Sequence, residues 1–151
     1  MIIVNNEELL KKPCEDVLPH EVGAIREALE KELRLSAKAG RPGIGLAAPQ
    51  IGIYKKMAIV RVGPDFNVDL VNCKVEKGYD LSLFKDEGCL SFPGRVEHTM
   101  RYQEILVTNN SVGPASFIAT GLFAVCIQHE LDHVSGILLP DRSLSKPKPK
   151  I

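Results

Sequence analysis

Residues 121–136 read GLFAVCIQHELDHVSG, and the period of this stretch decides how the chain is read. Thr120 offers an N-cap oxygen and Gly136 a stop, so a helix is predicted from about Gly121 to Ser135. Leu122, Val125, Cys126 and His129 fall on neighbouring tracks of that helix, so its histidines project from an apolar face. His129 and His133 are four residues apart, which lets them hold one metal ion between them. Glu130 lies about 100° round the helix from His129, where it can reach a water on that ion without being a ligand. Two histidines pushed into a core without partners are costly, whereas two that bind a metal are satisfied. Asp132, on the same helix, reads either as a carboxylate that orients a ligand or, the favoured expectation, as a solvated carboxylate.

Outward from this helix, residues 21–39 carry a second helical period. Val22, Ile25, Leu29, Leu33 and Ser36 recur every three or four positions, with Pro19 near the start and Gly40 beyond the end. Strand-like runs are predicted at Met57–Val62, Val68–Val75, Ile105–Thr108 and Phe117–Ala119. Helices and strands in blocks, without regular alternation, predict an α+β fold. Small antiparallel or mixed sheets should pack around the central H-E-x-x-H helix, with one amphipathic helix nearer the N-terminus. The expected organisation is one domain over residues 1–140 and a polar Lys/Pro tail over 141–151.

Composition narrows the function classes. Lys+Arg is 19 and Asp+Glu is 19, a formal net charge of zero that gives no general attraction to nucleic acid or an anionic membrane. No apolar run approaches the ~20 residues of a spanning helix, and the first residues lack a basic, apolar leader pattern. A cytoplasmic protein, monomeric, is the expectation. Four cysteines without a C-x-x-C pair then read as free thiols or metal ligands rather than as a disulfide framework.

Two histidines leave a metal short of a ligand, and after His133 only Asp141 follows as a carboxylate, with no further histidine. The third ligand is therefore sought upstream. Cys89, in Asp86-Glu87-Gly88-Cys89-Leu90-Ser91-Phe92-Pro93, is the best candidate, although spacing alone does not separate it from Cys73 or Cys126. A thiolate and two imidazoles leave a fourth position open, as in a catalytic site. The stretch Gly43-Ile44-Gly45-Leu46-Ala47-Ala48-Pro49-Gln50 matches neither a P-loop nor G-x-G-x-x-G. It reads as a tight loop whose backbone cradles an extended peptide, with Gln50 supplying a side-chain donor.

Taken in order, residues 43–50, 87–91 and 128–133 resemble the three motifs of peptide deformylase: a Gly-Leu-Ala-Ala loop ending in Gln, a Glu-Gly-Cys-Leu-Ser turn, and Gln-His-Glu-x-Asp-His. The resemblance implies that Cys89, His129 and His133 bind one divalent ion, Fe(II) natively with Zn, Ni or Co able to replace it. It implies that Glu130 is the general base and acid, and that Gln50 and the Leu90 N–H steady the oxyanion as formate leaves an N-formylmethionyl peptide. Gly43, Ile44, Leu122, Val125, Cys126 and His129 then form the methionine pocket, with Phe92 near its rim. The backbone at Ile44, Gly45 and Gly88 pairs with the peptide.

There are departures from the family pattern. Lys85 stands near the pocket where many relatives carry an apolar residue, and Cys73 follows Asn72 where many have Asn-Pro. Many bacterial members continue into a C-terminal helix implicated in ribosome docking; here residues 146–151 read KPKPKI, which puts a transient ribosome contact in doubt. Two alternatives stay open, a different H-E-x-x-H peptidase or amidase and a relative that binds formylated peptides without turnover.

Overall fold

The structure, a computed structural model, describes residues 1–145. Four helices, α1 (Glu7–Leu10), α2 (Val22–Lys38), α3 (Gly121–Val134) and α4 (Leu139–Arg142), accompany six strands. The strands β1 (Gly45–Ala47), β2 (Met57–Gly63) and β3 (Phe66–Val71) form one sheet, and β4 (Lys74–Gly88), β5 (Val96–Asn109) and β6 (Ala115–Thr120) a second, both in sequence order. Every strand pairing in the two sheets is antiparallel, so the sheets are not mixed. The α+β class holds.

Helix α2 lays Val22, Ile25 and Leu29 over Leu46, Met57, Ile59 and Val71, and it ends where Gly40 takes a φ of +84°. Helix α3 packs against both sheets, its Ala124, Ile127 and Val134 meeting Ala58, Val60 and Leu70 of the first sheet and Ile105, Val107 and Ala119 of the second. Thr120 stands at the α3 N-terminus without a side-chain capping bond.

The run expected as one strand over Val68–Val75 is broken at Asn72, which adopts a φ of +46°. Its amide is what holds the break: Oδ1 accepts from the Val17 N–H at 2.8 Å and Nδ2 donates to the Val17 C=O at 3.0 Å. The chain thus leaves the first sheet and enters the second. Asn109, at the end of β5, stitches the two sheets. Its Oδ1 accepts from the Val71 N–H and its Nδ2 donates to the Asp69 C=O, both at 2.8 Å.

Strands β4 and β5 run well beyond the short stretches expected. Their alternation is inverted: Leu81, Leu83, Met100 and Tyr102 face solvent while Glu87, Thr99 and Arg101 are buried. A search for apolar inward positions misses such a strand. Residues 141–145, expected in the tail, instead join the fold. Asp141 Oδ2 accepts from the Leu138 N–H at 2.9 Å, and the Leu144 N–H donates to the His98 C=O at 3.0 Å. The tail expected over 146–151 lies outside the described residues.

Two stability tests follow from these ties. Asn109→Ala orphans the buried Val71 N–H and should lower the unfolding free energy by about 1–3 kcal/mol in urea titration. Asp69 sits beneath Arg26 and Arg61, at 2.5 and 2.7 Å. Burial alone would raise its pKa, but the two guanidiniums outweigh it and hold the carboxyl below its ordinary value. The folded state therefore binds this proton more weakly than the unfolded chain. The stability it contributes is present above about pH 4 and is lost as pH falls through the folded value. Arg61→Ala should move the acid-unfolding midpoint to higher pH, read by circular dichroism.

Candidate active site

Helix α3 is set in register against β5 by Gln128. Strand β6 pairs with β5 no further than Glu104, and beyond that point the Gln128 amide takes over. Its Oε1 accepts from the Tyr102 N–H at 3.0 Å and its Nε2 donates to the Tyr102 C=O at 2.8 Å. This fixes the rotation of the helix and therefore the direction of the next residue, His129.

Cys89, His129 and His133 each offer a ligand atom, and these atoms lie within 4.8 Å of one another. Cys89 Sγ is 3.3 Å from His133 Nε2. His129 turns Nδ1 to Glu87 Oε2 at 2.7 Å, which leaves its other ring nitrogen for the cluster. A ligand histidine oriented by a carboxylate is the usual arrangement at a metal. Cys126 is not part of this cluster and lines the cleft instead, and Cys73 packs against the core. Burial pushes both of those thiols up to about 12, leaving them protonated.

Glu87 is buried, and Arg101 grips it with Nε to Oε1 at 2.8 Å and Nη2 to Oε2 at 2.6 Å. Thr99 Oγ1 donates to the same Oε1 at 2.8 Å. Burial alone would raise Glu87, but Arg101 and His129 hold it far below the ordinary carboxylate range. Arg101 Nη1 then reaches Asp132 Oδ2 at 2.7 Å, and Arg142 of α4 closes on Asp132 from the other side. Asp132 is thus not the solvated carboxylate expected. Glu87, Arg101 and Asp132 were not read as a network in the sequence, because their partners are distant along the chain. The signal available was the alternation of polar Glu97, Thr99 and Arg101 with Met100 and Tyr102.

Glu130 is 4% exposed, and its Oε1 has no hydrogen-bond partner. Burial pushes its pKa up to about 7, with the charges of Glu87 and Asp132 adding to that and His129 and Arg101 opposing it. Gly45 packs against it so closely that a Cβ there would sit 2.5 Å from Glu130 Oε2. Gln50 is buried, its Oε1 accepting from the Ala47 N–H at 2.9 Å. Its Nε2 donates to Ser91 Oγ at 3.0 Å and stands 3.7 Å from Cys89 Sγ. Ser91, missed in the sequence reading, is what turns the Gln50 amide toward the cluster.

These groups open into a cleft of about 560 Å³ lined by Gly43, Ile44, Gly45, Gln50, Gly88, Cys89, Leu90, Leu122, Val125, Cys126, His129 and Glu130. His133 lies behind that lining, 1% exposed. Ile44 and Leu122 are half exposed on the cleft, and a Cβ on Gly88 would meet open space. Phe92 lines the cleft too, but it is 4% exposed and packed with Leu10, Leu138 and Leu139, so it is wall rather than rim. Lys85 is exposed and outside the lining, which Phe84 and Asp86 provide at that point.

The donor set fits a divalent ion. One cysteine sulfur and two imidazoles converge, one imidazole is oriented by a carboxylate, and a buried carboxylate oxygen beside them lacks a partner.

The family model for polypeptide deformylase matches residues 1–150. Peptide deformylase of Aquifex aeolicus is 34% identical over 151 residues, covering 93% of this chain and 85% of that protein. Peptide deformylase 1 of Pseudomonas syringae pv. tomato is 39% identical over 104 residues, 66% of this chain and 62% of that protein, slightly less than two thirds of its length. The crystal structure of a peptide deformylase from Synechococcus elongatus in complex with actinonin superposes with a TM-score of 0.82 at 33% identity, covering 97% of this chain and 79% of that one.

Glu87→Gln removes the charge that orients His129. Affinity for zinc, measured by competition with a chromogenic chelator, should fall about 10- to 100-fold.

Proposed function

This chain belongs to the polypeptide deformylase family, and we propose that it hydrolyses the formyl amide of N-formylmethionyl peptides to formate and a free amine, with Glu130 carrying the proton. The observation that bears most weight is the pairing of a buried carboxylate, one oxygen unpartnered, with a three-donor cluster at the end of an apolar cleft.

Members of the family are metal-dependent, and Cys89, His129 and His133 would hold the ion here, Fe(II) by family likeness, with Zn, Ni or Co also suited to the set. Such an ion lowers the pKa of water and polarises a carbonyl. Glu130 takes the proton from the attacking water and returns it to the nitrogen of the breaking C–N bond. The Leu90 N–H and Gln50 Nε2 donate to the oxygen that gains charge when the formyl carbon becomes tetrahedral.

The methionine side chain enters among Gly43, Ile44, Leu122, Val125, Cys126 and His129, with Phe92 closing the wall. The peptide backbone pairs with Ile44, Gly45 and Gly88 in the manner of an added strand. No helix among the described residues is long and apolar enough to cross a membrane. The reading takes the enzyme as a monomer meeting nascent chains in the cytoplasm; it requires no lasting contact with the ribosome.

The test is formate release from a short N-formylmethionyl peptide by protein purified without oxygen, with metal content measured in parallel. Glu130→Gln should retain its metal and lose ~10²- to 10⁴-fold in rate. Gln50→Ala should raise the barrier by about 3 kcal/mol. A loss under about tenfold in either variant removes the role assigned to that residue. Metal-loaded protein with no turnover would instead be a binding relative.

A further inference from the structure

Arg41 lies in the turn between α2 and β1, at the edge of the cleft, and none of the roles above uses it. The turn is fastened to the helix. The Arg41 N–H donates to the Ser36 C=O at 2.9 Å, and Ser36 Oγ donates to the Arg41 C=O at 2.6 Å. From that base Arg41 Nη2 reaches across to donate to the Leu90 C=O at 2.7 Å. Two residues on, Gly43 leaves the space that the Leu90 side chain fills; a Cβ there would lie 2.6 Å from Leu90 Cδ1. On either side of Leu90 the turn is also pinned, Cys89 C=O accepting from the Phe92 N–H at 3.0 Å and Ser91 C=O from the Asn5 N–H at 2.9 Å. With its carbonyl, its side chain and both neighbours held, Leu90 has little freedom left in the direction of its own N–H.

We propose that Arg41 is a positioning residue for deformylation: by holding the Leu90 carbonyl it keeps the Leu90 N–H aimed at the developing oxyanion. The inference rests on the reading of Leu90 as an oxyanion donor. A donor of this kind works because it is already aimed before charge develops, and a misplacement of about 1 Å can cost ~10²-fold in rate. An arginine that only satisfied a carbonyl would affect folding and leave the split between kcat and KM unaltered.

The experiment compares wild type, Arg41→Ala and Arg41→Lys as metal-loaded proteins in formate release. Arg41→Ala should lose about 10- to 100-fold in kcat with KM within about threefold. Arg41→Lys, which keeps a donor, should recover part of that loss, and metal per chain and affinity for the deformylated methionyl peptide should match wild type. A kcat for Arg41→Ala close to wild type overturns the proposal. So does a loss that comes with falling metal content or peptide affinity, since that marks a disturbed cleft.

A second readout separates this inference from the reading beneath it. In ¹⁵N-leucine-labelled, zinc-loaded protein, added formate should shift the Leu90 amide resonance in wild type and shift it less in Arg41→Ala. No shift in wild type rejects Leu90 as the donor, and Arg41's role with it. Equal shifts in both proteins reject Arg41 alone. A wild type that releases no formate rejects the deformylase reading itself.

Discussion

The ion pair between Glu87 and Arg101 is the constraint around which the catalytic end of the molecule is arranged. Both side chains are almost fully buried, at 5% and 3% exposed. Taking two such charges out of water costs several kcal/mol each, and the cost is offset only when geometry is good and the remaining hydrogen-bonding capacity is filled. Here it is filled: two parallel bonds join the pair, Thr99 and His129 complete the carboxylate, and Asp132 takes a further guanidinium N–H. The consequence is architectural. The face of β4 and β5 that meets α3 at this end has to be polar, and α3 has to present His129 and Asp132 to it. A chain that satisfied its core with apolar residues at these positions would have nothing to orient the histidine.

That constraint also explains what could be read from the sequence and what could not. The helical period around His129 and the one from Val22 to Ser36 are local, and both helices formed where the spacing placed them, to within a residue or two. The strand pair that supplies Glu87 and Arg101 is long-range and inverted in polarity, so Leu81, Leu83, Met100 and Tyr102 look like core and are exposed. The break at Asn72 depends on the backbone of Val17, 55 residues away, which no local pattern announces. The candidate ligand set shows the same division. The spacing of His129 and His133 was legible from the helix alone, while the choice of Cys89 over Cys73 and Cys126 needed family likeness, and the fold brings Cys89 Sγ to the histidines. Asp132 and Arg101 escaped the sequence for one reason, since the bond that joins them spans 31 residues of chain.

The site is assembled from three segments that share no regular hydrogen-bond ladder, so their relative placement needs other ties. The N-terminal stretch supplies two of them. The Ile3 N–H donates to the Gln50 C=O at 2.7 Å, and the Asn5 N–H to the Ser91 C=O at 2.9 Å. Gln50 itself spans from the Ala47 N–H to Ser91 Oγ. The Gly43–Gln50 and Glu87–Ser91 segments are therefore joined by backbone and by side chain. Close approach does the rest: a Cβ on Gly45 would meet Glu130 Oε2 at 2.5 Å and one on Gly43 would meet Leu90 Cδ1 at 2.6 Å, so either side chain would have to shift. Backbone groups held on rigid elements lose no rotamer entropy when a substrate arrives, an advantage for donors that must be aimed in advance.

Two buried glutamates stand within reach of His129, and their environments push them to opposite ends of the carboxylate range. Glu87 has a guanidinium, a hydroxyl and an imidazole as partners and stays ionised. Glu130 is equally buried, has one oxygen with no partner, and is raised to about 7. A carboxylate fully satisfied by fixed donors is a poor proton carrier, because each bond that holds it stabilises the charged form it must give up. One with a buried oxygen that no donor reaches is costly to the fold, and burial that raises its pKa brings it toward the range in which proton exchange is useful. That difference is what supports the two roles proposed: Glu87 turns His129, and Glu130 is the glutamate suited to carry a proton. The two environments differ because β5 supplies Arg101 as a direct partner to Glu87, whereas Gly45 packs its backbone against Glu130.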